Sequence, residues 1–547
     1  MRRASLIAAL GLAALVVAVA FASGRDAEPP VPLAVVPAAA PHARTAPALE
    51  NLAAYIPVQC YARTKRAGRP ARNSCATCHQ DSREPNYIDD AAVQIELSIP
   101  RFAAVNHWSN ALSPPRPVAI DDGALLAWIR GDNRRLLAGA PGSDCAFAPD
   151  ADGWDRDAAG VRTGWRAYAY APMPGMFWPT NGSMGDAFIR LPLAFRRDAL
   201  GAPSDSIYAL NLAILEAMIR RADVSIAPTA EAPLGVDLDA DGRLGIAKRA
   251  AFVWPPRKER PLHYVGEAAT LDPSTAGWPA AGLYPVGTEI VHSLRYLDVV
   301  DSKVRPAARM KELRYQRKLR WLSYGTLDLA AKVEQREKEL DPDTLRAIHG
   351  DGEHGVGTGG GWKMQGFIEA ADGALRPQTV EETAACIGCH SGVGAAVDGT
   401  FSFGRKTRWG AQELVGMREP VRADGRGEYR TWLESVGAGD DFASNDEVTA
   451  AFFAPDGSLR PRARAFANDI SRLIVPSASR ALALDRAYLA LVRAQSFARG
   501  RDVFVGRPQI EERLEQGAST GVTEPQSPPW FTATGSRTPD RSAATRR

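Results

Sequence analysis

Two pentapeptides of the form Cys-x-x-Cys-His constrain this chain more than any other feature of its sequence. On one helical turn, two thiols at this spacing lie beside the histidine that follows them. In that arrangement the thiols form thioethers with the vinyl groups of a porphyrin, and the histidine ligates its iron. The sequence therefore predicts two covalently bound haem c groups, each with a proximal histidine. The residues of the two motifs are Cys75, Cys78, His79, Cys386, Cys389 and His390.

Zinc binding and dithiol redox chemistry are the alternative interpretations of these motifs. A structural zinc site needs a second pair of Cys or His ligands at short range, and neither motif is followed by one. A zinc ion shared between the motifs would leave both histidines unexplained. A thioredoxin-like dithiol needs a strand before the motif, whereas residues 69–74 have the composition of a loop. Covalent haem is the favoured interpretation.

The first 22 residues have the pattern of a secretory signal peptide. A basic start, Met1-Arg2-Arg3, precedes an apolar run over residues 6–22, which ends in the small-residue site Ala20-Phe21-Ala22. An uncleaved single-span anchor is the alternative, because the run approaches the ~20 residues that cross a bilayer. Both interpretations predict export to the periplasm, and membrane contact would come only through this segment if it is not cleaved.

Helical periodicity predicts a mainly α fold with long loops and few short strands, in which two cytochrome c-type haem regions flank a middle region. The clearest periodic segments are Asp205–Ala222, Arg305–Tyr324, Leu327–Leu340 and Arg480–Ala498. The predicted divisions are a signal peptide (1–22), a Pro/Ala-rich tether (23–50), a first haem region (51–223), a middle region with an acidic loop and a charged helical pair (224–345), a second haem region (346–506) and a disordered tail (507–547).

The charge balance gives no indication of nucleic-acid binding, because 66 Lys and Arg residues face 63 Asp and Glu residues. The segment Arg305–Tyr324 is nevertheless strongly basic. As a helix it would be a solvated face balanced by the acidic residues Glu334–Glu339, a docking surface for an acidic redox partner, or a partner for haem propionates. A redox partner protein is expected from haem chemistry, and the sequence does not indicate an oligomeric state.

The distal ligands decide what the haems can do, since a haem with two protein ligands carries electrons and an open-sided haem binds small molecules. His292 is the strongest distal candidate, because residues 288–297 form a semi-apolar stretch in which a buried imidazole needs a partner. The stretch is interpreted as helical. His42 lies in the tether and is not expected to be a ligand. The other candidates are His107, His263, His349, His354, Met173, Met176, Met184, Met364 and Met417.

An acidic loop predicts a calcium site. Asp237, Asp239 and Asp241 alternate before Gly242, as in the first half of a calcium-binding loop. The twelfth position is Lys248, so a carboxylate from elsewhere would have to complete the site. Residues 150–157 are a weaker version of the pattern, and the alternative for both is an acidic turn.

Cys60 and Cys145 are the two cysteines outside the motifs. In an oxidising compartment such a pair often forms a disulfide, which here would close a loop around the first motif. Two buried free thiols are the alternative.

The two motifs and the signal sequence resemble the periplasmic di-haem c-type cytochromes of bacteria. The segment from Gly361-Trp362 to Arg405-Lys406 resembles large, poorly characterised bacterial proteins with the same motif, which implies no substrate. Bacterial di-haem peroxidases resemble the chain only in the number of motifs, which lie closer together in a shorter chain. Electron transfer through two six-coordinate haems is the favoured hypothesis, because no acid–base constellation is evident near either motif. The alternative is a di-haem oxidoreductase, peroxidase-like or acting on another small molecule, with one open-sided haem.

Overall fold

The computed structural model describes residues 56–64, 72–73, 85, 103–137, 139–174, 182–254, 262–341, 343, 349–390, 396–411, 414–421, 425–436, 445–461 and 468–514. The predicted signal peptide, the tether and the first haem motif lie outside these residues, as does most of the predicted disordered tail. Among the helices that are described, none has the length and apolar character needed to cross a membrane.

A ten-stranded antiparallel sheet dominates the described part of the chain. Its main path follows the order β10-β11-β12-β9-β8-β5-β4-β14, with β13 beside β12 and β3 beside β4. Two two-stranded sheets pair β1 with β2 and β6 with β7. The strands are β1 Arg63–Thr64, β2 Arg72–Asn73, β3 Trp154–Arg156, β4 Arg162–Tyr170, β5 Ala187–Arg190, β6 Val224–Ala230, β7 Ile246–Ala250, β8 Glu289–Val300, β9 Lys303–Lys318, β10 Gly350–Asp351, β11 Gly355–Gly357, β12 Trp362–Glu369, β13 Leu375–Pro377 and β14 Lys406–Trp409.

The predicted mainly α fold is wrong, and the long hairpin of β8 and β9 shows why. Residues 288–297 and Arg305–Tyr324 were expected to be helical, but both lie largely in this hairpin. Asp301 and Ser302 form its two-residue turn with positive φ angles of 49° and 62°, as a type I′ turn requires. The basic residues of β9 mimic helical spacing because charges occur on both faces of the strand.

The expected helical stripe of basic residues is therefore divided: Arg305 and Arg320 are exposed, whereas two lysines lie in the core. Lys311 and Lys318 are completely buried, and each pairs with an aspartate, Asp485 and Asp398 respectively. A strand that is covered on both faces can place charged side chains inside the protein only when they are paired.

Three of the predicted helices are confirmed with small shifts at their ends. Asp205–Arg220, Tyr324–Leu340 and Ala478–Ala494 are α-helices, and each begins after a serine whose side chain caps the first turn. The helices are α1 Ser109–Leu112, α2 Asp122–Arg130, α3 Asp205–Arg220, α4 Pro273–Ala276, α5 Tyr324–Leu340, α6 Val380–His390, α7 Glu428–Val436, α8 Asp446–Phe452, α9 Ser471–Ile474 and α10 Ala478–Ala494.

Alternate residues of the central strands pack into different cores. Ile189 and Ile290 join the cluster that contains α3, whereas Phe188 and Val291 join a second cluster with Leu137 and Cys145. The sheet therefore has packed side chains on both faces, and its strands come from all three predicted regions. The boundaries of those regions stay a prediction.

The predicted disulfide between Cys60 and Cys145 is wrong. Cys145 is a free thiol that is 4% exposed and packs among aromatic side chains of the second cluster. Cys60 belongs to a short 3₁₀ helix, Val58–Tyr61, whose buried residues pack in a separate cluster with Trp108 and Leu514. The two thiols therefore belong to different parts of the protein, which sequence spacing could not reveal.

Residues near the two ends of the described chain meet. Ala62 forms a β-bridge with Ile510, and Val105 forms one with Arg513. The indole nitrogen of Trp108 donates to the carbonyl of Ile56, 2.7 Å away. Together, these contacts hold residues 56–62 and 500–514 next to the helix that carries the second motif.

Candidate functional site

Helix α6 carries the second motif, and its start is fixed by a capping box. The backbone N–H of Thr379 donates to the Glu382 carboxylate at 2.8 Å, and the N–H of Glu382 donates to the Thr379 hydroxyl at 3.3 Å. Arg376 binds both oxygens of Glu382 at 2.8 Å. The helix ends at His390, so both cysteines and the histidine lie on its last two turns.

The ring of His390 is held by a backbone carbonyl. Its Nδ1 lies 2.9 Å from the carbonyl oxygen of Gly399. Because a carbonyl only accepts hydrogen bonds, Nδ1 carries the proton and Nε2 has a free lone pair. Phe401 packs against the ring edge to face, with 5.3 Å between the ring centroids. This is the tautomer that a proximal iron ligand needs.

His292 lies on β8, in register with Ala187 of β5 and Arg314 of β9. Its Nε2 is 2.8 Å from the hydroxyl of Tyr170, which also packs edge to face against the imidazole. The neighbouring strands therefore aim the ring out of the sheet toward helix α6.

His292 and His390 line one cavity of about 690 Å³. A second cavity, of about 810 Å³, is lined by both motif cysteines. Arg314 and His390 belong to the walls of both cavities, so His390 lies where the two meet.

The surroundings keep both histidines uncharged. Each ring has an edge open to the cavity, but burial together with the nearby Arg314 cation lowers the pKa of His292 to about 3. Burial also lowers the pKa of His390 to about 4, although the bond to Gly399 opposes the shift. Neutral imidazole is the form that ligates iron. Both rings therefore have the required protonation state at neutral pH.

Buried ion pairs surround the cysteine side of the motif. Glu312 accepts one hydrogen bond from Arg314 and one from Arg501, both with a donor–acceptor distance of 2.9 Å. Burial opposes ionisation of this carboxyl, but the two guanidinium groups hold its pKa at about 2. Burial and, to a smaller extent, neighbouring Cys386 together raise the pKa of the Cys389 thiol to about 12. The site therefore contains a neutral Cys389 thiol and a charged wall in which Glu312 pairs with Arg314 and Arg501.

Among the distal candidates, the structure brings His292, Met173 and Met364 to the motif, since all three line the first cavity. His354 is exposed and bonds to Asp351 at 3.0 Å. Met184 and Met417 are buried in another core cluster. Met176 lies outside the described residues, as does the first motif with Cys75, Cys78 and His79. The remaining candidates, which line neither cavity, are His107, His263 and His349.

The acidic loop gathers a different set of carboxylates from the predicted one. Ligand oxygens of Glu231, Asp237 and Asp239 lie within 4.8 Å of one another, whereas Asp241 is not part of this group. Glu231 is 1% exposed and accepts hydrogen bonds from the backbone N–H groups of Leu238 and Gly245. It is the additional carboxylate that the sequence pattern required, and it precedes the loop at the end of β6.

Sequence reasoning did not find Tyr170, Arg314 or Gly399. Tyr170 and Arg314 come from strands that pair across the sheet, so only the sheet order brings them to His292. Gly399 follows the motif closely, and Asp398-Gly399 is a common turn dipeptide that could have indicated a turn near His390.

Comparisons with known proteins point to a lipoprotein family. The model of that family matches residues 140–468. An uncharacterized lipoprotein of Aquifex aeolicus (strain VF5) is 29% identical over 548 residues, which span 86% of this chain and 90% of the relative. No solved structure matches the chain. The matching family is not a cytochrome family, so the expected resemblance to di-haem c-type cytochromes is wrong.

Proposed function

The chain belongs to this lipoprotein family, which indicates an exported protein, and we propose that it binds haem covalently and transfers electrons. The observation that supports this proposal most directly is that His390 and His292 line the same cavity and that both rings are neutral. His390 directly follows Cys389 in the motif. Cys386 and Cys389 would form the thioethers, and His390 would be the proximal ligand. The iron would supply reversible one-electron chemistry.

The protein's own residues support this proposal in three ways. The Gly399 carbonyl fixes the tautomer of His390. The paired wall of Glu312, Arg314 and Arg501 supplies cations beside the motif, where they would face haem carboxylates. Apolar and aromatic side chains such as Met173 and Phe401 line the first cavity and would exclude water from a flat ring.

His292 is the proposed distal ligand, and its bond to Tyr170 makes a second function worth testing. Ligation through Nε2 would replace the Tyr170 hydrogen bond, giving an iron with two protein ligands and an electron-transfer role. If the bond to Tyr170 persists, the iron keeps an open side facing a His–Tyr pair. A distal histidine and a phenol could then move protons for a small-molecule oxidoreductase.

The first motif is proposed to hold a second haem at Cys75, Cys78 and His79. We propose the periplasm as the compartment and a redox protein as the partner. We also propose that Glu231, Asp237 and Asp239 bind calcium, because three close carboxylates repel one another unless a cation or protons neutralise them. Asp239 Oδ1, a buried oxygen without a hydrogen-bond partner among the described residues, would be a ligand of the ion.

The test combines absorption and EPR spectra of the haem-loaded full-length protein with two histidine variants. In His292→Ala, one iron is expected to become high-spin and to bind cyanide. His354→Ala changes an exposed histidine paired with Asp351 and is expected to leave the spectra unchanged.

The outcomes separate the two functions and can refute both. Wild-type protein with two low-spin irons supports electron transfer. A wild-type iron at the second motif that is already high-spin and binds cyanide supports the oxidoreductase. To assign the haems, Cys386→Ser with Cys389→Ser should halve the covalent haem per chain. Absence of covalent haem from the wild-type protein overturns the proposal.

A further inference from the structure

A buried lysine–aspartate pair lies next to the turn that holds His390. Lys318 Nζ is 2.6 Å and 2.7 Å from the two carboxylate oxygens of Asp398. The side chains are 0% and 1% exposed. Lys318 also donates to the carbonyl of Gly360 at 2.9 Å. A buried ion pair with several hydrogen bonds is a rigid attachment, because neither charge can turn away without losing its partner.

The pair fixes a tight turn between Val397 and Thr400. The backbone groups of these two residues bond to each other at 2.8 Å and 3.0 Å. Asp398 and Gly399 both have positive φ angles, 52° and 72°. Asp-Gly favours a turn with these angles, and the contacts of the Asp398 side chain attach that turn to its surroundings.

Two further bonds attach the same turn to the rest of the protein. The backbone N–H of Tyr284 donates to Asp398 at 3.1 Å, and the side chain of Gln316 donates to the Thr400 hydroxyl at 2.9 Å. Lys318 and Gln316 are alternate residues of β9, so one face of this strand holds the whole turn. This turn in its turn holds the ring of His390, because the Gly399 carbonyl accepts a hydrogen bond from Nδ1.

We infer that Lys318 and Asp398 are positioning residues for the iron ligand His390, acting through the Gly399 carbonyl. This inference rests on the proposed function. A strong hydrogen bond from Nδ1–H gives the imidazole more electron-donating character, which stabilises ferric iron. Loosening the turn should weaken that bond, and the midpoint potential of the haem should rise.

The sign of the potential shift separates positioning from simple electrostatics. Direct Coulomb interaction would make the two variants differ: loss of the Asp398 charge raises the potential, and loss of the Lys318 charge lowers it. Positioning predicts a rise in both, because either loss loosens the turn.

The experiment is redox titration of the haem-loaded full-length protein with Lys318→Met and Asp398→Asn. The matched controls are Lys311→Met and Asp485→Asn, a second buried pair 3.5 Å apart that does not contact this turn. Lys311→Met is expected to lower the potential or leave it unchanged. Both turn variants are expected to raise it and to alter the EPR spectrum of the low-spin haem.

A third variant, which leaves both charges of the buried pair in place, tests the inference if Lys318→Met and Asp398→Asn do not fold. Thr400→Val removes the bond to Gln316 without changing charge, and a smaller rise in potential is expected. A fall of the potential in Lys318→Met, or no change in Thr400→Val, overturns the inference. Loss of haem from the wild-type protein would instead refute the proposed function, so the two failures are distinguishable.

Discussion

At the residue scale, Glu312 shows how this protein keeps charge inside its core. The carboxylate is 2% exposed and binds Arg314, Arg501 and Gln378. Removing one member of a buried pair leaves a charge without compensation, which costs far more than losing an exposed ion pair.

Glu312→Gln is expected to lower the free energy of unfolding at pH 7 by about 3–5 kcal/mol, because two buried guanidinium groups lose their counter-charge. Urea unfolding followed by circular dichroism measures the loss. Glu434→Gln removes two partly exposed ion pairs, with Arg426 and Arg430, and should cost no more than about 1 kcal/mol. Equal losses in the two variants would contradict the expected role of burial.

The lowered pKa of Glu312 predicts that the stability of the fold depends on pH. Its pKa is about 2 in the folded protein against an ordinary value of 4.5. A lowered carboxyl pKa stabilises the fold above the unfolded-state value, and this stabilisation is lost as the pH falls toward 2. The stability difference between the wild-type protein and Glu312→Gln should therefore shrink by about 3 kcal/mol between pH 5 and pH 2. A constant difference over this range would contradict the assignment.

At the element scale, sequence periodicity predicted helices better than strands. Helices α3, α5 and α10 have long apolar stripes or clear caps, and these are local signals. Strands β8 and β9 were mistaken for helices because pairing and burial on both faces, which are not local, decide their structure. Lys311 and Lys318 can lie in a buried strand because each forms an ion pair with an aspartate that is distant in the sequence, Asp485 and Asp398 respectively.

The close contact between Gly185 and β8 gives a prediction at the same scale. A Cβ atom at position 185 would clash with the carbonyl oxygen of Ser293, the residue after His292. Gly185→Ala is therefore expected to displace β8, to destabilise the protein by about 1–3 kcal/mol and to reduce the low-spin fraction of the haem. Urea unfolding and absorption spectra measure the two effects.

Gly325→Ala is the control for this prediction, because position 325 has open space and lies in helix α5. Alanine is favoured over glycine in helices, so this variant should be neutral or slightly more stable. If Gly185→Ala behaved like Gly325→Ala, the close approach to Ser293 would not constrain β8.

At the scale of the whole molecule, Asn110 joins the two ends of the described chain. Its side-chain amide donates to the carbonyls of Ser496 and Gly500 at 2.8 Å and 2.7 Å, and the residue is 5% exposed. Asn110→Ala is expected to cost about 1–3 kcal/mol, because buried carbonyls lose their donor. Limited proteolysis and urea unfolding should show earlier release of residues near Gly500.

Ser109→Ala is the matched control, since the neighbouring serine is exposed and its hydroxyl makes none of these bonds. A change within about 0.5 kcal/mol is expected for it. If Asn110→Ala were equally mild, the β-bridges and packing that join the two ends would suffice without the bonds of Asn110.

Much less of the site than of the helices was predictable from the sequence. The motif itself and His292 were identified, because cysteine spacing and a histidine in apolar surroundings are visible in the chain. Tyr170, Arg314 and Gly399 were not, because they join the site through sheet pairing and a turn. Asp237 and Asp239 were identified from their local spacing, whereas Glu231, which lies close to both, falls outside the spacing pattern.

The residues that line the cavity beside the second motif come from early, middle and late parts of the sequence. They are therefore synthesised at different times. Gln59, Trp108 and Arg314 are synthesised before Cys386 and Cys389, whereas Arg501 and Asp502 follow them. A chain that emerges from its N-terminus therefore displays both thiols before their last neighbours exist. We expect haem attachment to be easiest in that interval, with residues 500–502 closing the site behind it.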